Sequence, residues 1–367
     1  MHSATLNSAP VCDFRTLTTQ IRAAGCLDRR LHYYGTKILL TIAAFLAGWL
    51  GFFVLGASWA TVGIAVFLGV MSTQLGFLGH DAGHGQVFTS QRANRLLGLG
   101  IGNALIGLSF GWWVPKHNAH HAHPNQVGRD PDIGIAPPTP GLDGRSGATS
   151  RIARWLNRWQ VELFFPLMLL RSMGLYVSGV QDLLRRRDRA AVTEGLLLAA
   201  HVSVYLTAVL WVLPWTKAVA FVAVHQAVFS IYLGFSFAPN HKGMPLLERD
   251  STMGFARRQI VTARNVAGGR GTTFVFGGLN YQIEHHLFPT MPRPNLARAR
   301  DLVRAFCLQS DLGYCEVGPL GSFRQVVCGL RAGDSNLPPG RTGYWLGGTA
   351  SPIKVSVSQP VAGAQPA

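Results

Sequence analysis

The sequence predicts an all-α integral membrane protein whose four transmembrane helices form two hairpins. Three observations lead there. Only 14% of the 367 residues are charged, against roughly a quarter in soluble domains. Several long stretches carry no charge at all. The charge that remains is strongly basic, net +16, and lies mostly between those stretches. A basic excess suits nucleic acid, anionic lipid headgroups or acidic partners. The apolar runs select lipid, and no nucleic-acid-binding module is recognisable.

No charged residue occurs between Ile38 and Gly79. A crossing takes about 20 residues, so this run holds two spans, about 38–55 and 59–78, with Gly56-Ala57-Ser58 as the turn. Gly195–Thr216 and Ala218–Asn240 are likewise free of charge. They give spans at about 195–214 and 218–238, joined at Pro214-Trp215-Thr216-Lys217. Leu96–Pro115 is apolar but glycine-rich and contains Trp112-Trp113. It reads as one helix lying in the interface, with the tryptophans at headgroup level. Residues 161–180 read as a second interfacial segment, interrupted by Arg171.

The domains follow. Residues 1–36 form a cytoplasmic segment whose early Asp13, Arg15 and Arg22 exclude a secretory signal. Residues 37–310 form the membrane domain. Residues 311–367 form a C-terminal extension, rich in Gly, Pro and Ser and expected to be disordered from 331. The five cysteines are odd in number and without CxxC spacing, which fits reduced thiols better than a disulfide framework.

The chemistry lies in the histidines. Seven fall in three clusters, His80-Asp-Ala-Gly-His84, His117-Asn-Ala-His120-His121 and Gln282-Ile-Glu-His285-His286. Spacings of three and four residues place rings on one helix face, and neutral imidazole is the commonest metal ligand. Seven rings exceed the needs of one ion and approach those of two. Counting crossings puts all three clusters on one membrane face. The arginine-rich loops, including Arg185-Arg186-Arg187, share that face, while the opposite turns carry only Lys217. The positive-inside rule makes it cytoplasmic. The picture is then a cytoplasmic helical cap holding a two-metal site above four spans. Asp81 is placed to orient an imidazole, and Asp130 and Asp132 either accept from ligand imidazoles or serve a loop turn.

These motifs resemble the membrane fatty acid desaturases, with their HxxxH, HxxHH and [H/Q]xxHH boxes. The likeness is closest at Asn280-Tyr-Gln-Ile-Glu-His-His-Leu-Phe-Pro289 and Pro292-Arg-Pro-Asn-Leu296, and it covers about residues 35–310. Glutamine at the head of the third box is similar to the front-end type and to bacterial acyl-CoA desaturases, implying a bacterial cell membrane.

The resemblance implies two iron ions, O2 as co-substrate, and a cis double bond made in an acyl-CoA or acyl-lipid chain held in an apolar channel. It assigns His80, His84, His117, His120, His121, His285 and His286 as ligands and His241 as the eighth. Asn240 stands beside the site, and Gln282 either ligates through its carbonyl or holds a water. Many front-end relatives carry a fused cytochrome b5 with an HPGG motif, whereas here His123-Pro124 is followed by Asn125-Gln126. Electrons are therefore expected from a separate donor, a ferredoxin or a cytochrome b5-like protein with its reductase.

A hydroxylase or ketolase of the same superfamily is the nearest alternative. A histidine-rich metal transporter is the alternative of another class, but its ligands should line the spans rather than sit at their ends. His123 is expected to face solvent. His225 lies too far from His241 along one helix, about 24 Å, to reach the site and should be hydrogen-bonded packing. His2, His32 and His201 are read as structural.

Overall fold

The computed structural model describes residues 13–133, 155 and 159–332. The described residues are mostly helical. α1 (Phe14–Ala23) precedes the first hairpin, α2 (Leu31–Leu55) and α3 (Thr61–Gly83). α4 (Gln91–Leu99) runs into a π-helical turn, Gly100–Leu105, followed by α5 (Phe110–Ala122). α6 (Gln160–Met168) and α7 (Arg171–Arg185) lead to the second hairpin, α8 (Arg189–Val212) and α9 (Trp215–His241). Then come α10 (Phe255–Val261), β1 (Asn265–Val266), α11 (Arg270–Val275), α12 (Gln282–Leu287), α13 (Leu296–Gln309), β2 (Glu316–Val317) and α14 (Pro319–Ala332). The two strands form a two-residue parallel pair, Asn265 opposite Glu316 and Val266 opposite Val317.

Among the described residues, α2, α3, α8 and α9 are the four helices long and apolar enough to cross a membrane. They overrun the apolar runs that announce them, because backbone hydrogen bonding does not stop where hydropathy does. α3 continues past residue 78 to Gly83, and α9 past 238 to His241. α2 starts at Leu31, and α8 starts beside Asp188, whose side chain accepts from Ala191 N at 2.8 Å. The overruns matter: they carry His80 and His241 on the spans themselves.

α2 and α8 present large apolar side chains outward, among them Leu39, Leu50, Val54, Leu196, Val204 and Leu210. That is the pattern of a lipid-facing surface. Trp59, Trp211 and Trp215 are exposed at the two hairpin turns, as expected of headgroup anchors. α3 is the central span, packed against α2 and α9 around Phe52, Leu68, Leu75, Phe221 and Phe229. Small residues permit that approach: a Cβ on Gly69 would stand 2.8 Å from Val228 and 2.9 Å from the His225 carbonyl oxygen.

Leu96–Pro115 does not form the single interfacial helix expected. It is a broken pair bent by 116°. Gly107 takes φ +71, Leu108 N donates to Gly102 O at 2.7 Å, and the Asn103 side chain accepts from Phe110 N at 3.0 Å. These local bonds turn the chain back, and Ile101, Asn103 and Ile106 are buried in the bundle. The 161–180 segment does break at Arg171, with α6 and α7 bent by 68°.

Above the bundle end sits a second core. Leu17 and Ile21 of α1 pack with Ile260, Ile283, Leu287, Val303 and Phe306, so the N-terminal helix closes the cap. Val326 and Leu330 of α14 pack on Phe164 and Met168 of α6. Among the described residues, Cys26, Cys307, Cys315 and Cys328 are free thiols; Cys12 lies outside them. Most of the tail expected to be disordered, from residue 333 on, lies outside the described residues.

Candidate metal centre

Four segments meet where the bundle joins the cap. His80 lies in the last turn of α3, and His84 closes that helix with its N–H on His80 O at 3.1 Å. His117, His120 and His121 lie on one face of α5, whose N-cap is Ser109. His241 ends α9. His285 and His286 lie on α12, whose start is pinned by Ile283 N donating to Asn265 Oδ1 at 2.9 Å.

The eight rings fall into two groups. His80, His84, His117, His121 and His285 offer nitrogens within 4.8 Å of one another. His120, His241 and His286 form the second group, under the same limit. The groups adjoin: the His121 and His286 rings stack with centroids 4.1 Å apart. All the box histidines are buried.

Three of the eight rings are held from the side away from their neighbours. His120 Nδ1 lies 2.9 Å from Asp130, His286 Nδ1 2.9 Å from Gln259 Oε1, and His241 Nδ1 3.0 Å from Thr262 O. A carbonyl or carboxylate partner makes Nδ1 the donor and leaves Nε2 as the nitrogen that carries the lone pair. Such outer hydrogen bonds fix tautomer and orientation in metal sites. Asp81 stands beside His80 but is held mainly from elsewhere. Its contact to His80 Nδ1 is 3.5 Å, while its firmer partner is Arg293 at 2.7 Å. Arg293 also donates to Phe77 O. Burial alone would lower Arg293, but Asp81 outweighs it and holds the guanidinium above its ordinary value.

His84 Nε2, His121 Nδ1, His286 Nε2 and both nitrogens of His285 are buried without a hydrogen-bond partner. A buried polar atom left so costs about 1–3 kcal/mol, and this many at one spot calls for a ligand. Burial first, then neighbouring imidazoles, hold His84, His117, His121, His285 and His286 well below the ordinary histidine value. They are therefore neutral, as metal binding requires. The residues fit a metal.

Around the site, the Asn240 amide donates to Gln282 Oε1 at 2.9 Å and to Ser236 O at 3.2 Å. Gln282 Nε2 then stands 3.0 Å from His241 Nε2. Glu284, between ligand candidates, faces away from them and accepts from Asn265 at 2.7 Å and Tyr314 at 2.9 Å. Burial pushes its carboxyl up to about 7.

His123 is half-buried rather than solvent-facing, because its Nδ1 engages Gln126 Oε1 at 2.8 Å. It joins neither group. His225 is a packing residue, bonded to Ser72 Oγ at 3.2 Å and Tyr205 OH at 2.9 Å. Sequence reasoning missed Gln259, Thr262, Asn265 and Glu194. Glu194 is a buried carboxylate on α8 that accepts from Ser109 Oγ at 3.1 Å and Gly111 N at 3.0 Å and pairs with Arg186. It thereby clamps the N-terminus of the helix bearing the second box. Only its place as the acid immediately before the charge-free run Gly195–Thr216 hinted at it.

A cavity of about 160 Å³ opens beside the second group. His120, His241 and Gln282 line one part, Leu233, Gly234 and Phe237 of α9 and Phe164 and Met168 of α6 another, and Asp132, Arg171 and Lys242 a third.

Four lipid-facing spans, with a buried histidine centre at their end, define a multi-pass membrane metalloprotein. The comparisons sharpen that class. The fatty acid desaturase family matches residues 57–318, and the chain belongs to it. A Delta(5) fatty acid desaturase of Caenorhabditis elegans is 34% identical, the match covering 82% of this chain and 69% of that protein. A Delta(8)-fatty-acid desaturase of Euglena gracilis is 34% identical over 82% and 74%. An acyl-lipid (9-3)-desaturase of Physcomitrium patens is 33% identical over 87% and 62%. The chain is thus an oxidoreductase acting on acyl lipids. These relatives are eukaryotic, which weighs against the bacterial membrane expected from the sequence.

Proposed function

We propose that this desaturase places a cis double bond in an acyl-CoA or acyl-lipid chain, using O2 and two iron ions. The ions would be held by His80, His84, His117, His121 and His285 on one side and by His120, His241 and His286 on the other. Asp81, Asn240 and Gln282 stand behind or beside these ligands. The single observation that carries the reading is the set of buried, unpartnered ring nitrogens within a cluster of eight histidines, of which His117, His120 and His241 line an apolar cavity. A zinc site would take about four ligands; eight imidazoles in groups of five and three suit a redox-active pair better.

Iron with O2 supplies the oxidising power that no side chain has against an unactivated methylene. The chain's own residues do the rest. Asp130, Gln259 and the Thr262 carbonyl fix the rings. Leu233 and Phe237 exclude water and hold an acyl segment beside His120 and His241. Positioning of this kind selects one C–C bond. The basic loops support a cytoplasmic site, with electrons from a separate donor such as a ferredoxin or a cytochrome b5-like protein. Expression in a desaturase-deficient host, with fatty acids mapped by mass spectrometry, tests the reading. A new double bond at one position, lost in His120→Ala, is expected. An oxygenated product with no new double bond would overturn it in favour of a hydroxylase.

A further inference from the structure

We infer that the contact between Gly234 on α9 and Met168 at the end of α6 is the stop that limits how far the acyl chain extends beyond the centre. This rests on the desaturase reading above and adds the residue pair that sets substrate selectivity.

The geometry is specific. Gly234 precedes His241 by seven positions, two helical turns, or about 10 Å along the axis. Both Gly234 and Met168 line the cavity that reaches His120, His241 and Gln282. The charged groups of that cavity gather together, Arg171 3.7 Å from Asp132 and Lys242 donating to the carbonyl of the next residue, Ile133, at 2.6 Å. Lys242 caps α9 just past His241 while Gly234 lies two turns inside the span, so an acyl carrier's polar group would stay by Lys242. The methyl end is then directed toward Gly234.

There the two helices almost touch. A Cβ on Gly234 would lie 2.8 Å from Met168 Sδ and 3.3 Å from its Cγ. Met168 is nearly buried, at 8% exposure. It cannot swing aside as a body with α6, because the bend after it is anchored. Ser172 N donates to Ser230 Oγ at 3.0 Å and Ser172 Oγ meets the same hydroxyl at 2.6 Å. What remains adjustable is the thioether, the most pliable apolar side chain. The missing side chain of one residue and the flexible end of another thus meet at one wall of the cavity.

Changing that volume should change which chains react. Gly234→Ala pushes the sulfur into the cavity and Gly234→Leu fills it. Met168→Ala only removes atoms and lengthens it. A methylene that fits or does not fit an apolar pocket is worth about tenfold or more in selectivity. The test is a competition in which each protein, expressed in the desaturase-deficient host, receives saturated and monounsaturated acids differing in length by two carbons. Products are read by mass spectrometry beside the iron content of the purified protein.

With iron content unchanged, Gly234→Ala and Gly234→Leu should shift the preferred chain shorter, by about tenfold in product ratio. Met168→Ala should shift it longer, and the Gly234→Ala, Met168→Ala double variant should return toward the wild type. Should Gly234→Leu fail to accumulate, Met168→Ala and the double variant still decide. Product ratios unmoved in Met168→Ala, in a protein that desaturates normally, overturn the stop. A wild type that makes no desaturated product overturns instead the reading on which it rests.

Discussion

His225 and His285 are both buried histidines, and their surroundings are opposites. His225 lies in the middle of α9, and each ring nitrogen has a protein partner, Ser72 on one side and Tyr205 on the other. His285 lies in the cap, and neither nitrogen has one. The first ring ties three membrane helices together. The second is surrounded by four other box histidines equally intent on the same space. Burial alone therefore does not mark a site; buried lone pairs that the protein declines to satisfy do.

The comparison can be broken most severely at the cap. His285→Ala removes a ring from the five-histidine group, and we expect no detectable desaturated product and loss of bound metal, read by metal analysis and lipid profiling. A variant that keeps both would make His285 a packing residue like His225. Next comes the clamp between the regions. Glu194→Ala leaves Ser109, Gly111 and Arg186 without their common acceptor, and should destabilise the protein by about 2–4 kcal/mol, read as a lower thermal midpoint in detergent. A midpoint equal to wild type would show that α5 needs no clamp.

Asp130→Asn keeps the shape but replaces the carboxylate behind His120 with a weaker acceptor. Metal affinity should fall about 10–100-fold, measured by chelator competition, with the fold intact by circular dichroism. The smallest effect belongs to the spans. His225→Phe should cost about 1 kcal/mol, the scale of interhelical hydrogen bonds in membranes, and should leave metal content at the wild-type value. Metal loss in His225→Phe would erase the distinction between the two kinds of histidine.

How far these features could be read beforehand depends on whether they are local. The three boxes are legible because metal binding demands one residue type at helical spacing, and His241 only because the desaturase resemblance implies a further ligand after the fourth span. The four spans are legible because one charge-free run is about twice, and two others are each about once, the length that crosses a bilayer. Helix ends are not, since α3 and α9 continue past the apolar runs until the chain itself stops them. The 116° turn after the π-helical stretch depends on Asn103 and Gly107 acting together, which no periodicity announces. Asn265, reaching at once to Ile283, Glu284 and Tyr314, and Glu194, reaching across to α5, act through partners distant in sequence. Such residues become visible only when the chain is folded.

The most direct measurement is the metal stoichiometry of the purified protein, with and without the second group. We predict two iron atoms per chain in the wild type and about one in a His241→Ala, His286→Ala double variant, with Mössbauer spectra changing from two iron environments to one. A wild type that binds no iron, or a double variant that keeps both atoms in unchanged environments, would contradict the account.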